Sequence, residues 1–236
     1  MLPCWEGLQV GQSTTQNSLE VFQKEFGLGS DFLQDTPDRH STAVPGLLVN
    51  NFSWSYPRSA DFVNLSVWRE IGTNILEALR FEWHFESQRA LDNVITPQRI
   101  VKELGTPSHI YILLRGTESA STEVFKLFMI YDQGMSFSMS TRAPMTQQNG
   151  TFLVKLCLGN NQWVTMNNAG GVRAVSIMRP IVNSTNDLSA LQKRLFGTDI
   201  TSEGYETIED VAQITPDQFA QTALRQDDPC FSVELH

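Results

Sequence analysis

Residues 123–140, EVFKLFMIYDQGMSFSMS, decide how the rest of the chain is read. Two apolar runs flank Asp132-Gln133-Gly134, and a three-residue connection with glycine in the left-handed position is the signature of a β-hairpin. Strands joined by so short a turn run antiparallel. The sheet is therefore expected to be antiparallel, and helices lying beside it in sequence give an α+β fold.

Immediately upstream, ITPQRIVKELGTPSHIYILLRG (residues 95–116) carries a full set of helix punctuation. Thr96 can cap, Pro97 fits the first helical position, Ile100, Val101 and Leu104 form the apolar stripe, and Gly105 with Pro107 stops the helix. SHIYILL then continues as a strand. Earlier still, Leu79, Phe81, Trp83 and Phe85 alternate with Arg80, Glu82, His84 and Glu86, the period of a half-buried strand. Residues 28–60 read as loops with brief strands such as GLLVNNFSWSY. At the start of the chain, Ser13 and Gln16 stand at capping-box spacing before a stripe of Leu19, Phe22 and Phe26, with Gly27 as the stop.

Downstream, TFLVKLCLG, QWVTMN and GVRAVSIMRPI predict further strands. NDLSALQKRLFG predicts a helix, as does ITPDQFAQTALRQ, where Thr215 and Gln218 have capping-box spacing around Pro216. The helix starts ITPQ at residue 95 and ITPD at residue 214, with the Ser13 helix, suggest a repeated helix-then-strands unit: two tandem helix-plus-sheet modules, residues 1–92 and 93–182, with a helical C-terminal tail, residues 183–236, packed on the core.

The composition fits a folded domain: of 236 residues, 41% are hydrophobic and only 18% charged, far from the profile of a disordered chain. A net charge of -9 without a basic cluster opposes binding to phosphate backbones, so nucleic acid is excluded as a partner. The three cysteines are too scattered for a zinc knuckle or a redox CxxC pair. Cys157, in an apolar run, reads as a small buried hydrophobe. Cys4 and Cys230 lie near opposite termini, which often meet, and form the disulfide candidate for an exported protein.

No nucleophile elbow, phosphate loop, dinucleotide turn or zinc-protease helix is present, which argues against an enzyme and names no cofactor. The weak metal or general-base candidate is Glu82, His84 and Glu86, which alternation places on one strand face with Arg80. Asp35, Asp38 and His40 in DTPDRH could contact a divalent ion, although Asp-Pro turns form for backbone reasons alone. His109 reads as a strand-edge residue. Among the tryptophans, Trp54 is the candidate exposed binding aromatic, since it sits between Ser53 and Ser55.

Taken in order, LPCWEGLQVGQST, IVKELGTPSHI, LFMIYDQGMSFS and IEDVAQITPDQFAQTALRQDDPCFSV resemble a family of predicted bacterial lipoproteins. Its members carry LPCWxGIxPGxT after a lipid-modified leader, a YGxPxxI step, a YPxxGxxF hairpin and a Cys-Phe pair near the C-terminus. Leu104 and Asp132 stand where the family has Tyr and Pro. The progression is also similar to the small outer-membrane assembly lipoproteins and to the modules of beta-lactamase inhibitor protein. The resemblance implies a leader and linker ahead of Leu2, a lipidated cysteine other than Cys4, and sequons at Asn51, Asn64, Asn149 and Asn183 that are chance matches. The expected function is a non-enzymatic, extracytoplasmic, membrane-tethered binding or envelope protein. Its partner would be a protein or small molecule, with membrane contact only through the anchor. The alternatives are a metal-dependent enzyme or hydrolase built on the Glu82 strand, an inhibitor of a partner enzyme, and a cytoplasmic location.

Overall fold

The computed structural model describes residues 4–5, 7–26, 34–35, 39–40, 47–55, 62–85, 96–115, 122–148, 151–159, 171–178, 204–227 and 229–235. Every strand pair with a defined register is antiparallel, and helices accompany the strands, so the fold is α+β. The chain divides into two compact units: Met1–Phe85 with Asp132–Ser136 and Arg173–Asp199, and Glu86–Tyr131 with Phe137–Val172 and Ile200–His236.

In the first unit, β1 (Cys4–Trp5) and β2 (Leu8–Gln9) form a minimal hairpin, with Gly7 at φ +82°, a conformation that costs a glycine little. The segment after it docks on the start of β7 (Leu76–Phe85): Gly11 N–H donates to Leu76 O at 2.7 Å, and Leu76 N–H donates to Ser13 O at 2.8 Å. Helix α1 (Thr15–Phe26) follows. Its cap lies one residue later than the Ser13–Gln16 spacing predicts. Thr14 Oγ1 accepts from Asn17 N–H at 3.2 Å, and Asn17 Oδ1 accepts from Thr14 N–H at 2.9 Å. Ser13 is extended against Leu76 and its hydroxyl accepts from Gln9 N–H, so the helix cannot begin there.

The sheet of this unit is built on β5 (Leu47–Ser55), β6 (Phe62–Glu70) and β7, with the two-residue strands β3 (Gln34–Asp35) and β4 (Arg39–His40) on β5. No pattern in the sequence analysis marks β6. The register aligns Phe52–Leu65–Phe81 and Asn50–Val67–Leu79 in neighbouring rows on one face. These residues are buried, and α1 packs there through Phe22, whose ring stacks on Phe81 at 4.5 Å. A bulge at the end of β6 sets Trp68 opposite Ala78 but Arg69 opposite Leu76. The extra residue, Glu77, restores Leu76 to the buried face despite its odd spacing from Leu79.

In the second unit, α2 (Pro97–Leu104) has the expected cap: Thr96 Oγ1 accepts from Arg99 N–H at 3.1 Å, and Gly105 closes the helix at φ +82°. Ile100 and Val101 are buried, whereas Leu104 is 36% exposed and leaves the stripe. Strands β8 (His109–Arg115) and β9 (Thr122–Tyr131) pair Ile110 with Met129 and Ile112 with Leu127 on one face, all buried. On the other face Leu113, Phe128 and Ile130 are buried as well, which explains the unbroken apolar runs. The turn to β10 (Met135–Gln148) has Gly134 at φ +91°, as the hairpin reading requires. Strand β11 (Thr151–Cys157) pairs with the end of β10. Strand β12 (Gly171–Met178) belongs from Arg173 on to the first unit, where it neighbours β7.

The helical tail is corrected by the structure. Strand β13 (Glu206–Thr207) pairs with β8, and helix α3 (Ile208–Ala212) is capped by Thr207, whose hydroxyl accepts from Asp210 N–H at 3.2 Å. Helix α4 (Pro216–Ala223) carries the Thr215–Gln218 capping box in full. The chain then turns into β14 (Cys230–Leu235), which pairs with β11 along its whole length. Phe231 and Val233 are buried and Ser232 is exposed, a period of two that no helix can satisfy. The segment read as the helix NDLSALQKRLFG and the strand QWVTMN lie outside the described residues.

Candidate functional site

A cleft of about 490 Å³ opens in the first unit between the β1–β2 hairpin and α1. One wall is the stretch from Gly7 to Ser13, held in shape by Gly7 and Gly11, both at positive φ, and by its backbone bonds to Leu76. The other is the face of α1 bearing Asn17, Glu20, Val21 and Lys24. Leu8, 1% exposed, and Val21 supply the apolar part of the lining. Gln9, Gln12 and Asn17 add amides, and Glu20 and Lys24 add one charge of each sign, one helical turn apart. Amide side chains donate and accept at once, so this lining can hold a polar molecule in a fixed orientation. Its volume lies within the range of small-molecule sites.

The Glu82 strand offers a different surface. Asn51, Ser66 and Arg80 form one row across the face opposite Phe81, and Ser53, Asn64 and Glu82 form the next. Ser66 Oγ donates to Asn51 Oδ1 at 2.8 Å. The Arg80 guanidinium is paired directly with the Glu82 carboxylate. A carboxylate neutralised by its neighbour is a poor ligand for a cation, and this sets Glu82 against the metal reading. His84 has its backbone opposite Phe62, and Glu86 lies outside the described residues. Among the described residues, no group of three His, Cys, Asp or Glu is placed to hold a metal ion.

The backbone of Trp54 is opposite Val63, which in turn faces Trp83. Asp35 and His40 fall on β3 and β4, and Asp38 lies outside the described residues. His109 opens β8, exposed, as a strand-edge residue.

Cys230 bonds to Cys157 and not to Cys4. The two are direct partners in the β11–β14 register with Cα atoms 4.0 Å apart, and a sulfur forms only one disulfide. Cys157 is thus half of a covalent cross-link rather than a buried hydrophobe. Around it, Leu158 N–H donates to Pro229 O at 2.7 Å, and Gln98 N–H donates to Leu158 O at 3.2 Å. These bonds tie the start of α2 to the same corner.

Two tyrosines have raised pKa values. Tyr131 is pushed up by burial, with its hydroxyl donating to Gly105 O at 3.2 Å. Tyr111 is pushed up by burial and by the Glu209 carboxylate. Both hydroxyls are therefore neutral at physiological pH, structural rather than basic groups.

The cleft residues Gln9, Gln12, Asn17, Glu20 and Lys24 were not singled out by the sequence. Their signal was the amide-rich run between Gly7 and α1, where two glycines set the hairpin. Searches of protein-family models, curated proteins and solved structures returned no match.

Proposed function

We propose that the chain is the folded part of an exported, membrane-tethered binding or envelope protein without catalytic activity. The observation that carries this reading is the Cys157–Cys230 disulfide, because such bonds form and persist in oxidising compartments and are rare in the reducing cytosol. The resemblance of LPCWEGLQVGQST and the closing DDPCFSV to the lipoprotein family supports a tether through a lipidated cysteine ahead of Leu2. A helix followed by antiparallel strands occurs in both units. That order supports two tandem helix-plus-sheet modules, similar to the small outer-membrane assembly lipoproteins and to beta-lactamase inhibitor protein. Among the described residues no helix is long and apolar enough to cross a membrane. The polar cleft beside α1 is the place where such a protein would take a ligand.

Thiol trapping in the protein's own cells tests the compartment. With alkylation at lysis, one cysteine should react before reduction and all three after it, and the protein should follow the envelope fraction into a detergent phase. Three reactive thiols in a cytosolic fraction would overturn the reading.

A further inference from the structure

We infer that the cleft between the β1–β2 hairpin and α1 binds a zwitterionic short peptide, of two or three residues. This names the ligand class of the cleft and rests on the reading of the chain as a binding protein. Three observations carry it. The cleft is preformed: Gly11 N–H to Leu76 O, Leu76 N–H to Ser13 O and Gln9 N–H to Ser13 Oγ hold the hairpin wall, and the Thr14–Asn17 box fixes where α1 begins. A wall held in this way loses little entropy when a ligand arrives.

The charges in the lining are balanced, with Glu20 and Lys24 on one face of α1. Residues four apart on a helix have Cβ atoms about 5–6 Å apart. Two extended residues span about 7 Å between their termini, so the ammonium of a dipeptide can meet Glu20 while its carboxylate meets Lys24. The order is favourable too, since both partners become charge-assisted. Glu20 also accepts from Gln16 at 3.0 Å, and Lys24 is engaged within the chain, so the ligand shares these groups with existing interactions. A phosphate or a polyanion is disfavoured, because Lys24 is the single cation of the lining and the chain carries a net charge of -9.

Gln9 and Gln12 line the cleft with primary amides that present a donor and an acceptor each, and Asn17, whose Oδ1 is engaged by Thr14, adds its amide N–H groups. That is the complement of a peptide group, and the half-buried Val21 leaves an apolar surface for a small side chain.

The probe is dialanine, titrated into the isotopically labelled chain while side-chain amide and backbone signals are followed by NMR. Shifts should cluster at residues 7–24. Glu20→Gln and Lys24→Met, both exposed positions whose folding is checked by circular dichroism, should each weaken binding about tenfold, as one lost charge-assisted contact would. Acetylated, amidated dialanine should bind at least as weakly as with either variant. Equal binding of the capped peptide would overturn the zwitterion inference while leaving a peptide-binding protein. No shift at residues 7–24 up to about 10 mM dialanine, a dissociation constant too weak to matter, would overturn the site itself. The thiol and fractionation result, read independently, stands or falls without it.

Discussion

Each unit is stabilised internally by different means. In the first, the hairpin, α1 and the β5–β6–β7 sheet rely on burial around Phe22 and Phe81 and on a few backbone bonds to Leu76. In the second, β11 and β14 are joined covalently, and α2 is hydrogen-bonded to the same corner. The difference places the covalent constraint on a pairing that is distant in sequence. Cys157 and Cys230 are 73 residues apart, whereas α1 is held in the first unit without a covalent link, by packing on Phe81 and by backbone bonds such as Thr15 N–H to Asn74 O at 3.2 Å. Redox conditions should therefore act on one unit and core truncation on the other.

The largest effect expected is from Cys157→Ala with Cys230→Ala. Closing a loop of this length restricts the unfolded chain by about 4 kcal/mol in the chain-entropy account. Urea unfolding should show the second unit losing most of that, with the first unit's signals little moved. A uniform loss across both would break the contrast. Next comes Phe22→Ala, which removes the ring stacked on Phe81 and leaves a cavity. The expected cost is about 3 kcal/mol, borne by the first unit and insensitive to reducing agent.

Gly159 offers a smaller test at the covalent corner. A Cβ there would lie 2.5 Å from Gln98 Oε1 and 2.9 Å from Pro229 Cγ. The glutamine can swing away but the proline ring cannot easily do so, and Gly159→Ala should cost about 1–2 kcal/mol by thermal unfolding. No change would mean the corner is looser than its bonds to Leu158 suggest. At the start of α1, Thr14→Ala should cost about 1 kcal/mol as a lost cap. Gln16→Ala should cost almost nothing, and a reversal of that order would restore the Ser13–Gln16 box.

Much of the architecture was legible because the decisive signals were local. The Asp132-Gln133-Gly134 turn, the Thr96-Pro97 start and the Thr215–Gln218 box each depend on residues within a turn of one another, and each formed as expected. Failures came where a distant strand decided. Ser13 could have capped α1, but Leu76 claims its backbone and moves the cap to Thr14. Residues 230–235 were absorbed into a helical reading because their partner strand lies some seventy residues earlier, and the disulfide followed the register rather than the nearness of termini. Strand β6 alternates poorly, since Val67 and Trp68 are both buried at the bulge. The candidate cleft was invisible because the shape of its walls, a hairpin and a helix face, depends on bonds to the distant Leu76 and Asn74 as well as on local ones.

The smallest effect separates the units by pH. Tyr131 is buried in the second unit, and its hydroxyl titrates above the ordinary 10.0 because burial disfavours the phenolate. A raised folded value means the neutral form is favoured by folding. That contribution is complete below pH 10.0 and is lost as pH rises through the folded value, while the unfolded chain has already released its proton. Tyr111 adds in the same direction, with Glu209 as its second cause. At neutral pH, Tyr131→Phe should cost about 1 kcal/mol, the net worth of the bond to Gly105 O. Between about pH 10 and 11 the wild-type chain loses up to about 1.4 kcal/mol per pH unit on this tyrosine's account, and the variant does not. The stability difference should therefore shrink and then reverse with alkali, as followed by urea unfolding alongside phenolate absorbance. A difference that stays constant from neutral pH to about pH 11 would show that Tyr131 is as accessible in the folded chain as in the unfolded one.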